Sequence, residues 1–285
     1  MTKPPELSAA RRWFADDIGA VAPVLRNTAI VDAFATVPRE DYLGPGPWGM
    51  HSRLCIGEIH QSPTADARHL YHDVLVSIDE ISGINNGLPS LWARVYDHLD
   101  IAHGATVCQI GAGVGYYTAI LAELVSPSGR VIAYEIEPDL AARARSSLRH
   151  YANVDVICGD ATQAEDMPEF DVLTACAGVT HIPLQWFEKL RRDGRLVLAF
   201  SGTDGWGFLL HLSKLPDRLP VRSLGPVGIY PCAGARLDAE AAAISKALKA
   251  SGSAKPAIGH YRFGQAPPGA DNIWLAGRSY WISTT

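Results

Sequence analysis

Gly111-Ala112-Gly113-Val114-Gly115 constrains this chain more than any other stretch, because it follows the apolar run Ala105-Thr106-Val107-Cys108-Gln109-Ile110 and opens onto a helical pattern. A strand, a tight glycine turn and a helix follow one another there. One glycine in such a turn takes a backbone angle that side chains resist, and another lets a ligand approach the main chain without a Cβ in the way. The element therefore predicts a ligand laid against backbone.

The glycine spacing narrows the ligand. A dinucleotide fingerprint reads G-x-G-x-x-G, whereas here the third glycine falls one place early, at Gly115, and Tyr116 takes the position that would hold it. A tyrosine there crowds the helix packing and the pyrophosphate that the dinucleotide motif serves. S-adenosylmethionine has no pyrophosphate, and a G-x-G-x-G turn suffices for it. The second strand, Arg130-Val131-Ile132-Ala133-Tyr134-Glu135, ends in a carboxylate where a ribose diol would lie. A third run, Val154-Asp155-Val156-Ile157-Cys158, ends in Gly159-Asp160, a second acid placed to accept from an adenine amino group. Either acid alone is as well read as a solvated strand end, and a glycine turn alone as a plain strand-to-helix connection; their order in register favours the cofactor. The predicted cofactor contacts are Gly111, Ala112, Gly113, Gly115, Tyr116, Glu135, Ile136, Asp160, Ala161 and Asn85.

With 285 residues, 47% of them hydrophobic, the chain can build a substantial core. Its formal net charge of −5 argues against a broad grip on nucleic acid or anionic membrane and toward small molecules or peptides. The five cysteines at 55, 108, 158, 176 and 232 include no C-x-x-C pair and no histidine at ligand spacing, so neither a disulfide framework nor a metal site is expected. Reduced cysteines in apolar runs, no apolar signal core near Met1, and no stretch approaching the ~18 apolar residues of a membrane span predict a cytoplasmic protein.

Periodicity orders the rest. Two N-terminal helices broken near Pro23 are expected between Ser8 and Ala35, then a strand at residues 73–78 and a helix from Pro89 to Leu99 with Leu91, Trp92, Val95 and Leu99 facing inward. Beyond Gly111 the pattern alternates: helix 116–125, strand 130–135, helix 138–149, strands 154–158 and 171–176, helix 183–191 and strand 195–200. Such alternation predicts a Rossmann-like α/β three-layer sandwich with a mostly parallel sheet. Runs at 207–213 and 221–230 read as an antiparallel edge hairpin, followed by a helix from Leu237 to Leu248 and one last strand from Ile273 to Ile282. The expected division is an N-terminal helical and loop segment (1–84), a cofactor-binding core (85–232) and a C-terminal helix and strand extension (233–285).

Residues 30–200 resemble the protein-L-isoaspartate O-methyltransferases, within the class I S-adenosylmethionine-dependent methyltransferases. The resemblance rests on Val37-Pro38-Arg39-Glu40, Pro89, Ile110 through Tyr116, Gly159-Asp160, Thr174-Ala175-Cys176-Ala177, Ile182-Pro183 and Leu190 through Val197. It implies methyl transfer to a carboxylate. One departure stands out: the family's Gly-Gln-Thr-Ile-Ser stretch, whose serine lies close to the transferring methyl, corresponds here to Gly83-Ile84-Asn85-Asn86-Gly87, with Gly87 in the serine's place. The chain therefore reads as a divergent relative, O-methylating a carboxylate or hydroxyl on a peptide or small molecule.

In-line displacement at a sulfonium carbon asks for alignment and a dry pocket. A carboxylate acceptor is already ionised at neutral pH; an alcohol or phenol needs a base. His181, just after the fourth sheet strand, is the leading candidate for that base, with a loop histidine hydrogen-bonded to backbone as the plain alternative, and His60 is a weaker second. Asn86 and Asn85 are candidates for orienting the substrate or holding the methionine end of the cofactor, although Asn-Asn-Gly is equally a turn signal. Trp92 reads as core, while Trp48 and Trp206 in glycine-rich loops read as pocket walls. Two other readings remain: a catalytically silent S-adenosylmethionine-binding regulator, suggested by Gly87, and an NAD-dependent oxidoreductase, disfavoured by Tyr116.

Overall fold

A computed structural model describes residues 5–21, 25–51, 58–252, 258–269 and 271–284; Pro23 and Cys55 lie outside the described residues. In chain order the elements are α1 (Pro5–Val21), α2 (Ala29–Thr36), β1 (Gly49–His51), β2 (His60–Gln61), β3 (Leu75–Asp79), β4 (Ile84–Asn85), α3 (Pro89–Leu99) and β5 (Thr106–Ile110). Next come α4 (Tyr116–Val125), β6 (Arg130–Glu135), α5 (Pro138–Leu148), β7 (Val154–Cys158), β8 (Phe170–Val179), α6 (Leu184–Lys189) and β9 (Leu190–Ser201). The chain ends with β10 (Trp206–Ser213), β11 (Val221–Gly228), α7 (Asp238–Ser251), β12 (Ile258–Phe263), β13 (Ile273–Ala276) and β14 (Tyr280–Thr284).

A seven-stranded sheet runs β11-β10-β9-β8-β5-β6-β7. Strand β8 pairs in parallel with both β5 and β9, while β10 pairs antiparallel with β9 and with β11, giving the expected parallel sheet with an antiparallel edge hairpin. Two small sheets, β2-β1-β3-β4 and β12-β14-β13, complete the strands.

The backbone forms two compact units, each made of several stretches. The first comprises residues 1–104, 112–131 and 137–156. Its core stacks aromatic rings edge to face: Phe14 on Phe34 and Tyr71, and Tyr116 on Phe34, Tyr42 and Tyr117. Each fully buried ring of that size contributes roughly 1.5–3 kcal/mol. Among them lies Arg39, fully buried, whose guanidinium donates to the carbonyls of Leu70, His72 and Val74 and to Asn86 Oδ1, and sits 5.7 Å from the centroid of the Tyr116 ring. A buried cation surrounded by carbonyls fixes the 70–74 loop, because removing it would orphan every one of those acceptors. Helix α3 starts with Pro89 at its first turn and buries Trp92, Val95 and Leu99, with Leu91 half-buried.

The second unit comprises residues 105–111, 132–136 and 157–285. Its core holds Phe170, Trp186, Phe200, Phe208, Tyr261 and Tyr280, all close to fully buried.

Several elements differ from the sequence expectation. The strand placed at 73–78 begins at Leu75, because Asp73 instead receives the N–H and hydroxyl of Ser90, at 2.8 and 2.7 Å, at the start of α3. The single strand at 273–282 is a hairpin of β13 and β14, broken at Gly277. The buried carboxylate of Glu240 on α7 accepts the Arg278 N–H at 2.6 Å, and a Cβ on Gly277 would fall 2.0 Å from Glu240 Oε2, so only glycine fits that turn. Strands β1, β2, β4 and β12 have no counterpart in the sequence expectation, and the helix expected over 183–191 stops at Lys189, where β9 takes up the chain at Leu190.

Candidate active site

Three glycines of the turn after β5 adopt left-handed backbone: Gly111 at φ 80°, Gly113 at φ 57° and Gly115 at φ 94°. They do different work. The Gly111 N–H donates to Tyr134 O at 2.8 Å, and a Cβ there would meet Cys176 Cβ at 3.5 Å, ordinary contact. At Gly115 a Cβ would lie 2.8 Å from Leu148 Cδ1 and 3.4 Å from Ala144 Cα, so this glycine allows α4 and α5 to close on each other. At Gly113 a Cβ would meet no protein atom within 4 Å, so its missing side chain leaves open space beside the main chain. That is the cradle a ligand laid on backbone requires, and the residues present fit the expected nucleoside. Ala112 is buried. The ring of Tyr116 belongs to the aromatic core, so any part Tyr116 takes in ligand binding falls to its main chain at the start of α4.

The strand ends of the second unit carry the two acids. Glu135 is 6% exposed, with its carbonyl taking the Gly159 N–H at 2.8 Å. Ile136, next along, is exposed. Asp160 spends Oδ1 locally: it accepts the Thr162 N–H and hydroxyl, both at 2.8 Å, and so caps the short 3-10 turn Ala161–Gln163. Ala161 is buried, with its carbonyl receiving Trp186 Nε1 at 3.1 Å. Two thiols flank these acids. Burial pushes Cys176 up to about 12, with the Glu135 charge adding and the Gln109 amide opposing. Burial likewise pushes Cys232 up to about 11, with Asp160 and Glu135 adding and a backbone hydrogen bond opposing.

His181 follows β8 and is half-buried. Its Nδ1 lies 3.2 Å from Thr180 Oγ1, which also accepts the Leu237 N–H at 3.0 Å. Desolvation lowers the imidazole below its ordinary value, against a smaller opposing pull from Glu240, so the ring is neutral at pH 7. His60 is exposed, 3.5 Å from Glu58.

The chain between β11 and α7, residues 229–237, includes 229–230, expected as strand but lying outside β11, and 231–236, which no periodicity marks in the sequence. It docks on the end of β8: Gly178 N–H donates to Tyr230 O, the Cys232 N–H to Gly178 O, and the Thr180 N–H to Ala235 O. Arg236 anchors it, donating to Ser201 Oγ at 2.8 Å and to the Gly202 carbonyl. A Cβ on Gly234 would stand 2.4 Å from Asp160 Oδ2, so this strap passes directly against the Asp160 carboxylate.

In the first unit the Asn-Asn-Gly stretch forms a tight turn. Asn85 Oδ1 accepts the Gly87 N–H at 2.9 Å, Asn86 donates its N–H to Val76 O at 2.8 Å, and Asn86 Oδ1 holds Arg39 Nε at 3.2 Å. Gly87 has φ 58°, and a Cβ on it would lie 2.4 Å from Trp92 Nε1. The indole fills the space that a side chain at position 87 would need. Trp92 is core as expected, whereas Trp48 is not a pocket wall: it is buried and gives Nε1–H to Gly44 O at 3.2 Å. Trp206 is half-exposed at the start of β10.

A parallel α/β sheet with a G-x-G-x-G turn after β5 and carboxylates ending β6 and heading the chain after β7 defines a class I S-adenosylmethionine-dependent methyltransferase. The sequence model of the protein-L-isoaspartate(D-aspartate) O-methyltransferases matches residues 56–213, more than half of the chain, and the chain belongs to that family. A protein-L-isoaspartate O-methyltransferase of Methanococcus aeolicus is 31% identical over 219 residues, covering 75% of this chain and 89% of the relative. A second, from Archaeoglobus fulgidus, is 36% identical over 149 residues, covering 51% of this chain and 68% of its own. Among solved structures, a protein-L-isoaspartate O-methyltransferase superposes with a TM-score of 0.65 at 17% identity, over 98% of this chain and 88% of that one. A Plasmodium falciparum structure of the same description, in complex with S-adenosyl-L-homocysteine, gives 0.61 at 16% identity, over 78% and 97%. At those identities the structural likeness speaks for the fold alone.

Proposed function

We propose that the protein esterifies a side-chain carboxylate of a peptide, with residues 85–232 as the methyltransferase core. The observation that carries this reading is the buried Glu135 at the end of β6, one strand from the Gly111 turn, in a chain of this family. S-adenosylmethionine supplies an electrophilic methyl on sulfur. Glu135 would hold the ribose hydroxyls, the 160–162 segment would border the base, and the turn glycines would give the nucleoside access to backbone. A carboxylate acceptor arrives ionised, so the chain has to exclude water and orient it rather than remove a proton. His181 suits orientation: in the tautomer in which Thr180 donates to Nδ1, the neutral ring carries its proton on Nε2 and can offer it to a carboxylate oxygen.

Gly87 in the place that the resemblance gives to the family serine, with Trp92 packed against it, favours an acceptor held differently from the family's usual substrate. Labelled methyl transfer to matched isoaspartyl, aspartyl and hydroxyl-bearing peptides tests this. The expected product is an ester that releases methanol in mild alkali; a base-stable methyl would overturn the carboxylate reading, and no transfer to any peptide or lysate component would favour the silent regulator. Among the described residues no helix is long and apolar enough to cross a membrane, and the four described cysteines are free, which supports a reducing cytoplasm.

A further inference from the structure

A concavity lies within the second unit, lined by none of the residues at the strand ends that carry Glu135 and Asp160. It encloses about 750 Å³ where the turn between β10 and β11 faces β12 and the end of α6. Its charged lining is Arg192, Lys214, Arg218 and Arg262 against the single carboxylate Asp217, in a chain whose overall charge is −5. Such a local reversal of sign needs an explanation.

Lys214 has a structural one. Its ammonium donates to the carbonyls of Phe187, Glu188 and Leu190, closing the end of α6, and lies 4.4 Å from the centroid of the Phe187 ring. Burial lowers its pKa accordingly. The arginines are not used that way. Arg218 and Arg262 are exposed, and Arg192 comes no nearer than 3.9 Å to its neighbour Asp193. Arg262 lies 4.6 Å over the Trp281 ring, which holds the guanidinium in place without neutralising it.

Between these charges the wall is apolar: Leu215, Leu219, Phe187 and Phe263, the two rings 4.8 Å apart. The backbone adds a third feature. Strand β12 is at the end of its sheet, and the Tyr261 N–H points away from β14 to donate to Leu219 O at 2.9 Å. Alternation along the strand turns the N–H of Phe263, two residues on, to the same side. A strand edge, an apolar wall and several guanidinium groups match an extended chain with alternating apolar and acidic residues. A nucleic acid would need a far wider basic surface.

We propose that this concavity is an exosite for an acidic, extended peptide segment, which tethers a peptide acceptor to the enzyme apart from the reacting carboxylate. The choice of a peptide rests on the carboxylate-methylating reading above, but its test does not require turnover. A fluorescein-labelled twelve-residue peptide alternating glutamate with leucine, and its glutamine counterpart, are titrated by anisotropy into the full chain, the Arg218→Glu variant and the Arg218→Glu/Arg262→Glu variant. The expected result is binding that weakens with salt, at least tenfold weaker for the glutamine peptide, and reduced several-fold by the single and at least tenfold by the double substitution. S-adenosylhomocysteine titration of the same variants should be unchanged, which separates failure here from failure of the methyltransferase site. Equal binding of the glutamine peptide, or unaltered binding by the double variant, overturns the exosite. Tighter binding of tripolyphosphate than of the acidic peptide, lost in the same variants, reassigns the cavity to phosphate and overturns the peptide.

Discussion

Restoring the family's serine at Gly87 should damage this protein rather than repair it. Gly87 sits at φ 58°, a left-handed backbone that costs a residue with a Cβ about 1–2 kcal/mol. The new Cβ would also fall 2.4 Å from Trp92 Nε1 and 3.1 Å from its Cδ1, and Trp92 is 3% exposed, with no open space to swing into. Overpacking of that kind costs about 1–3 kcal/mol. The two effects together place Gly87→Ser about 2–5 kcal/mol below the parent. Urea unfolding followed by far-UV circular dichroism reads this as a lower midpoint at unchanged slope. A double-mutant cycle isolates the clash with the indole: in a Trp92→Phe background the loss should fall toward the backbone strain, about 1–2 kcal/mol, with the lesser contact to Tyr117 Cε2 at 3.3 Å remaining. A Gly87→Ser protein within about 0.5 kcal/mol of the parent, or a substitution that costs as much in the Trp92→Phe background as in the parent, would refute the steric reasoning.

The turn glycines should separate folding from binding: Gly115→Ala drives a Cβ into Leu148 and lowers the melting temperature, whereas Gly113→Ala meets no protein atom, carries only backbone strain, and loses S-adenosylhomocysteine in calorimetric titration. Equal melting temperatures with equal affinities would contradict that division. Iodoacetamide at pH 8 should label the exposed Cys158 well before Cys176 and Cys232, whose thiols burial pushes up to about 12 and about 11, and peptide mass mapping reads the order. Cys176 is only half-buried by exposure, so its slow labelling rests on the raised thiol, and early labelling of Cys176 would refute that shift. For His181, burial lowers the folded-state pKa, so as pH falls through the ordinary histidine range the unfolded chain takes up a proton that the folded one resists. Stability should therefore fall on acidification below about pH 6.5, and His181→Gln should flatten that part of the pH curve; an unchanged curve would place the ring in solvent.

The central alternation was legible because each element announces itself locally. Helix α4, strand β6 and strand β7 fall on the expected bounds, since glycines, β-branched runs and Pro138 mark their ends in the sequence itself. What the sequence hid was set by partners far along the chain. The break between β13 and β14 is made by Glu240, Asp73 is drawn off its strand by Ser90, and the strap over β8 is held by backbone bonds to Gly178 that no side-chain pattern encodes. At the candidate site, Glu135 and Asp160 occupy the predicted strand ends. Arg39 was visible only as part of Val-Pro-Arg-Glu, because burial of a cation depends on carbonyls that the fold assembles around it.

Isothermal titration of S-adenosylhomocysteine into the parent, Glu135→Gln and Glu135→Ala proteins, with NAD titrated in parallel, bears on the cofactor assignment more directly than any other experiment. Loss of a buried charged acceptor for the ribose hydroxyls is worth about 1–3 kcal/mol, so the alanine variant should bind roughly 5- to 150-fold more weakly, with one site per chain in the parent and no measurable heat from NAD. Equal affinity in all three proteins, or a parent that takes NAD and leaves the homocysteine nucleoside in solution, would contradict it.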